Sequence, residues 1–161
     1  MRNLITQVED PATGLLQFTN TERAAAHGAE LAGERTFMGG VRLRASYSWQ
    51  QATDSMGQGL ANSPRQLVKA GASLPWAALR ARVAAEWQCA SRRLTEHAQV
   101  GGYCSTSLVL SSARGIAGWN WSVALYNPLD RSYADPAGPA FVQESIAREG
   151  RSAVGKLEYG F

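Results

Sequence analysis

The sequence lacks nearly every pattern that announces catalysis. Its two histidines, His27 and His97, stand alone, with no H-E-x-x-H or other metal-ligand spacing. No G-x-S-x-G elbow is present, and the Met38–Gly39–Gly40 stretch reads as a turn, not a phosphate loop. Glu30, Glu86 and Glu158 are isolated carboxylates, better suited to pairing with arginines than to acid–base work. These absences argue against an enzyme and against a bound cofactor or metal. The net charge of +3 includes no Lys/Arg cluster, which argues against a nucleic-acid partner. No apolar run approaches the roughly 18 residues of a transmembrane helix. That leaves strands open as a way across a membrane, since a spanning strand needs only about 10 residues with every second one apolar. Met1–Arg2–Asn3 leads straight into a short strand-like run, with no secretory signal before it.

What the sequence does have is alternation. In residues 41–51, Val41, Leu43, Ala45, Tyr47 and Trp49 oppose Arg42, Arg44, Ser46, Ser48 and Gln50. In residues 79–91, Leu79, Ala81, Val83, Ala85, Trp87 and Cys89 oppose Arg80, Arg82, Ala84, Glu86 and Gln88. A period of two marks a strand with different solvents on its two faces. Val68, Ala70, Ala72 and Leu74 oppose Lys69 in the same way, after Pro64 at a strand start. Cys104, Thr106, Leu108 and Leu110 oppose Tyr103, Ser105 and Ser107; Trp119, Trp121, Val123 and Leu125 oppose Asn120, Ser122 and Ala124. At the end, Ala153, Gly155, Leu157, Tyr159 and Phe161 oppose Val154, Lys156, Glu158 and Gly160. Shorter runs at 4–8 and 15–20 complete the set with residues 24–34, which are Ala-rich and open to a helical reading. Gly28 favours a strand there. The total is nine candidate strands. Short connections (9–14, 33–40, 74–78, 112–117) alternate with long ones (52–64, 92–101, 127–150), apart from a brief link at 21–23.

The ending GRSAVGKLEYGF resembles the closing strand of bacterial outer-membrane barrels. Preceded by VALYNPLDRSYADP, it resembles the end of a TonB-dependent outer-membrane receptor. That family carries an N-x-x-D-x-x-Y segment before its last strand, here Asn127, Asp130 and Tyr133. Asn20, Gly28 and Glu30 resemble another of its strands, and Asn62, Ser63, Pro64, Leu67 and Lys69 a third segment. The resemblance implies an all-β fold: about nine antiparallel strands of a larger transmembrane barrel of about 22 strands. Residues 1–161 would be its C-terminal part, without plug domain or signal peptide. It implies uptake of a scarce ligand such as a siderophore, haem or cobalamin, with TonB as a partner only of the full-length receptor. It places the chain in the outer membrane, its C-terminus periplasmic, against lipid and the barrel-assembly machinery, which reads the Phe161 strand. The ligand itself is not legible.

On that reading Arg42, Arg44, Lys69, Arg80, Arg82, Glu86 and Glu158 face a wet lumen, where charges are expected. The excess of arginine would suit an anionic ligand. Trp49, Trp87, Trp119, Trp121, Tyr159 and Phe161 form belts at the two membrane boundaries, with Trp76 in a short turn. Symmetric pairing of the hairpin around 92–101 sets Trp87 against Thr106 and Cys89 against Cys104. Two readings stay open there: a disulfide, contributing about 3 kcal/mol for a loop of about 15 residues, or two thiols acting as small apolar residues. Two other architectures also stay open. Discarding the weak first strand leaves a complete eight-stranded barrel with a structural or adhesive role. A soluble β-sandwich binding module would bury the same aromatics in a shared core.

Overall fold

A computed structural model of the chain describes residues 4–22, 24–95, 97–113, 118–138 and 141–160. Nine longer strands are present among the described residues: β1 (Leu4–Glu9), β2 (Leu16–Glu22), β3 (Ala25–Thr36), β4 (Arg42–Thr53), β5 (Gln66–Trp76), β6 (Ala81–Ala90), β9 (Tyr103–Ser112), β10 (Trp119–Tyr126) and β13 (Ser152–Tyr159). Four short strands decorate the connections: β7 (Arg93–Leu94), β8 (Gln99–Val100), β11 (Ala134–Pro136) and β12 (Ser145–Ala147). The Ala-rich segment is a strand. Its helical propensity yields to a twelve-residue ladder with β4, from Ala25↔Thr53 to Thr36↔Arg42. Gly28 is needed there, because a Cβ would stand 2.3 Å from the Trp49 carbonyl oxygen.

Seven strands form one antiparallel meander in the order β13-β10-β9-β6-β5-β4-β3, and β1 pairs with β2 in a separate hairpin. No ladder joins β2 to β3 among the described residues. The seven-stranded sheet is open, with β3 and β13 at its edges. No closed eight-stranded ring is present among the described residues. Nor is there a sandwich, for Ala81 and Ala90 are the buried hydrophobic residues among those described. The large apolar side chains stay on an uncovered face, with Leu157 65% and Trp76 47% exposed. A water-soluble domain rarely leaves so large an apolar face uncovered. Lipid is the solvent that suits it.

One boundary differs from the alternation pattern. Residues 79–91 read as a strand from Leu79, but Ala77–Leu79 make a 3₁₀ turn and Arg80 is left-handed, at φ 46°. A left-handed residue cannot continue a β ladder, so β6 starts at Ala81. Arg80 therefore sits in the turn and not in the strand row of Arg82. Trp76, read as a turn residue, is the last residue of β5 and pairs with Ala81.

Candidate functional site, a two-faced wall

Register carries the two faces across the sheet. One row runs Glu34, Arg44, Gly71, Glu86, Ser107, Tyr126, Ser152. A second runs Ala32, Ser46, Lys69, Gln88, Ser105. Rows of opposite parity are apolar: Leu43, Ala72, Ala85, Leu108, Leu125 and Ala153, or Leu74, Val83, Leu110, Val123 and Gly155. A one-residue slip would exchange the faces, so the pattern and the register agree strand by strand.

The polar face holds an open depression of about 730 Å³, lined by Glu34, Arg44, Ser46, Lys69, Glu86 and Gln88 among others. Its charges are largely partnered. Arg42 donates to Glu34 from Nε at 2.8 Å, and Arg44 reaches Glu86 across the intervening strand. Gly71 makes that crossing possible: a Cβ there would meet Arg44 Nε at 2.7 Å and Cγ at 3.1 Å. Arg82 donates to Ser73 Oγ at 2.9 Å and to the Gly40 carbonyl at 3.2 Å. Lys156 pairs with Glu158 along β13 at 2.7 Å. Both members of the Arg42–Glu34 and Arg44–Glu86 pairs are about half exposed. They fix orientation more than they stabilise.

The aromatics fall at two levels. At the end of the short turns, Trp119 and Tyr159 are opposed in register, with ring centroids 4.8 Å apart. Trp121 faces Leu157 two residues further along β10, and Trp76 faces Ala81 at the end of β5. Trp49 and Trp87 lie toward the long connections, and His27 meets Trp49 edge-on at 5.7 Å. Phe161 lies outside the described residues, as does part of the short turn at 112–117. Cys89 and Cys104 are opposed and joined by a disulfide, their Cα atoms 4.1 Å apart. It sits on the outer face in the row of Tyr47 and Val68.

The long connections hold the features that alternation could not reveal. Arg93 is 7% exposed. Its guanidinium donates to Asp135 Oδ1 and to the Ala134 carbonyl, both at 2.9 Å, and to Asn62 Oδ1 at 3.5 Å. It also lies over the Tyr103 ring at 5.2 Å, and Tyr133 stacks on that ring at 4.7 Å. Arg148 reaches the second Asp135 oxygen at 2.5 Å. Burial alone would raise the Asp135 pKa, but the hydrogen bonds from Arg148 and Arg93 outweigh it and hold the carboxyl below its ordinary value. The Asn62 N–H donates to the Leu94 carbonyl at 2.8 Å. Three long connections are thus tied into one cap.

The segment after β10 is built for the return to β13. Asn127 and Asp130 are both left-handed, at φ 47° and 51°. Asn127 Oδ1 accepts from the Arg131 N–H at 3.0 Å, and its Nδ2 donates to the Arg131 carbonyl at 2.9 Å. Asp130 Oδ1 accepts from the Arg151 N–H at 2.8 Å, just before β13. Arg35 was also missed by pattern. It lies on the apolar face in the row of Leu43, its guanidinium 5.0 Å from the Phe37 ring. A long stem on apolar surface with a charge reaching the boundary suits a membrane edge.

The fold so defined is that of the antiparallel barrels of TonB-dependent outer-membrane receptors. Among solved structures, the chain is similar to the copper transporter OprC, with a TM-score of 0.76 and 18% identity over 99% of this chain and 27% of that one. It is similar also to P. aeruginosa FpvA bound to heterologous pyoverdines, with a TM-score of 0.72 and 14% identity over 98% of this chain and 23% of that one. The chain thus spans about a quarter of the length of these receptors. No family model and no curated protein matches the sequence.

Proposed function

We propose that this chain is the C-terminal wall of a TonB-dependent outer-membrane receptor that imports a scarce, metal-bearing ligand. The observation that supports this best is the seven-stranded sheet with one face apolar apart from Arg35 at its margin and the other laced with ion pairs, on a receptor fold. The short turns and the C-terminus face the periplasm, and the long connections face outside. The last strand, closed by Phe161, is the assembly signal. Plug and TonB contact belong to the rest of the receptor. This wall would not transport alone, because open strand edges leave backbone groups that lipid cannot solvate.

The two solved neighbours are named for copper and for an iron–pyoverdine complex. Metal chelates of the siderophore class therefore come first for this receptor, with haem and cobalamin behind. Pairing of Arg42 and Arg44 with carboxylates argues against a strongly positive lumen. The test is binding of a chelate panel to the receptor containing this wall, with Lys69 and Arg82 changed to glutamine. Binding of a metal chelate, with uptake abolished when TonB is removed, supports the reading. Uptake of such a chelate that is indifferent to TonB contradicts it.

A further inference from the structure

A groove of about 540 Å³ crosses β3 to β6 near the short turns, and register puts it on the apolar face. Gly33, Ala45, Ala70 and Trp87 are opposed in one row of its lining, and Arg35 and Leu43 in the next. Glu34 and Arg44 also border it, but their side chains are bonded on the opposite face, to Arg42 and Glu86, which leaves their backbone to this one. Gly71, the third bordering residue of that parity, has no side chain. A Cβ on Gly33 would meet no atom within 4 Å, so the groove is open there. Arg35 closes one end. Its guanidinium lies over the ring of Phe37, which also lines the groove and belongs to the tight turn where the Gly40 N–H donates to the Phe37 carbonyl at 3.1 Å. Among the described residues no carboxylate pairs with Arg35, and its neighbour Glu34 is held by Arg42.

We infer that this groove seats one glycerophospholipid of the leaflet at the short turns, its phosphate on Arg35 and one acyl chain along Leu43 and Ala45 toward Trp87. The inference rests on the membrane-wall reading above. A guanidinium over a ring keeps its in-plane N–H groups free, and these pair with phosphate through paired N–H···O bonds. At the edge of a membrane, beside no carboxylate, a lipid phosphate is the counter-ion within reach. The groove leading away from it is apolar, poorly wetted by water and well filled by an acyl chain. A free anion would use only Arg35, and an uncharged lipid only the groove. The site matches a molecule that has both parts joined.

The test is native mass spectrometry on the receptor barrel containing this chain, purified from outer membranes and stripped of lipid. It is then offered phosphatidylglycerol, the matched diacylglycerol, or inorganic phosphate. Phosphatidylglycerol is retained, diacylglycerol is not, and inorganic phosphate does not displace the lipid. Arg35→Gln lowers retention about tenfold, the scale of one charged hydrogen-bonded contact. Gly33→Leu, which fills the groove where no atom stands, lowers it with Arg35 still in place. Arg92→Gln, at an exposed arginine outside the groove, leaves retention unchanged. Folded-versus-boiled gel mobility checks that each variant is a barrel. Equal retention of diacylglycerol, displacement by phosphate, full retention in Arg35→Gln or Gly33→Leu, an equal loss in Arg92→Gln, or a lipid-free dimer in place of the lipid adduct would overturn the inference while the membrane reading stands. A chain absent from the membrane fraction overturns both.

Discussion

Removing the Asp135 carboxylate should open the cap over the long connections while leaving the wall intact. Asp135 neutralises Arg93, which is 7% exposed and among the described residues has only the Ala134 carbonyl and the more distant Asn62 amide as other oxygen partners. Stripping a buried charge of its partner costs about 3–5 kcal/mol. The Asp135 side chain is itself 27% exposed, so water recovers part of that cost. Arg148, at 53% exposure, loses little. A net loss of about 2 kcal/mol is expected for Asp135→Ala, or about thirtyfold in the local opening equilibrium. Asp135→Asn keeps an acceptor and should cost about tenfold. Amide hydrogen exchange reads this directly. The Asn62 N–H bonded to Leu94 and the Ala137 N–H bonded to Glu144 should exchange faster by those factors. The Ala85 and Leu108 amides, within the β6–β9 ladder, should not change. If Asn62 and Ala137 stay within about twofold of the parent in both variants, Asp135 does not hold the cap.

Acid should act on the same latch. Asp135 titrates below its ordinary value of 3.8, so its contribution is complete above that pH and is lost as pH falls through the lowered value. Cap amides should therefore keep full protection from pH 7 to about pH 4 and lose it only in stronger acid; loss near pH 6 would implicate another group. Gly71→Ala should push Arg44 off Glu86 and cost about 0.2–1 kcal/mol, given how exposed that pair is. A double-mutant cycle on Arg44 and Glu86, run with and without the alanine, measures it; an unchanged coupling would refute the crossing. Reducing Cys89–Cys104, whose positions are 15 apart in sequence, should cost about 3 kcal/mol in denaturant titration. Val123→Lys on the apolar face should destabilise the membrane-embedded barrel by about 2–4 kcal/mol, and Ser122→Lys on the polar face far less. Equal effects would remove the distinction between the faces.

Much of the wall was legible because a strand has only two phases. Once Leu43, Ala45 and Tyr47 are set on one side, Arg42 and Arg44 have nowhere else to go. Symmetric pairing across residues 92–101 likewise leads to the observed opposition of Cys89 and Cys104. Arg80 shows the limit: it has the parity of Arg82, so alternation runs straight through a turn that the backbone makes left-handed. Arg93 shows another limit. Its strand β7 has two residues and no period, and its partner Asp135 is 42 positions away. Arg35 breaks the apolar pattern locally, and only its closeness to Phe37 and the strand end makes sense of it. Fine structure at the rim depends on such distant pairings, whereas the wall depends on near neighbours.

The central claim is that the two faces meet two different solvents. The described cysteines are both in the disulfide, so single cysteines can be introduced along β10 and spin-labelled in the membrane-embedded protein. The account predicts that labels at Trp121, Val123 and Leu125 are reached by oxygen dissolved in lipid, and labels at Asn120, Ser122 and Ala124 by a water-soluble relaxing agent. Uniform accessibility along the strand, or the same alternation with its phase reversed, would contradict it.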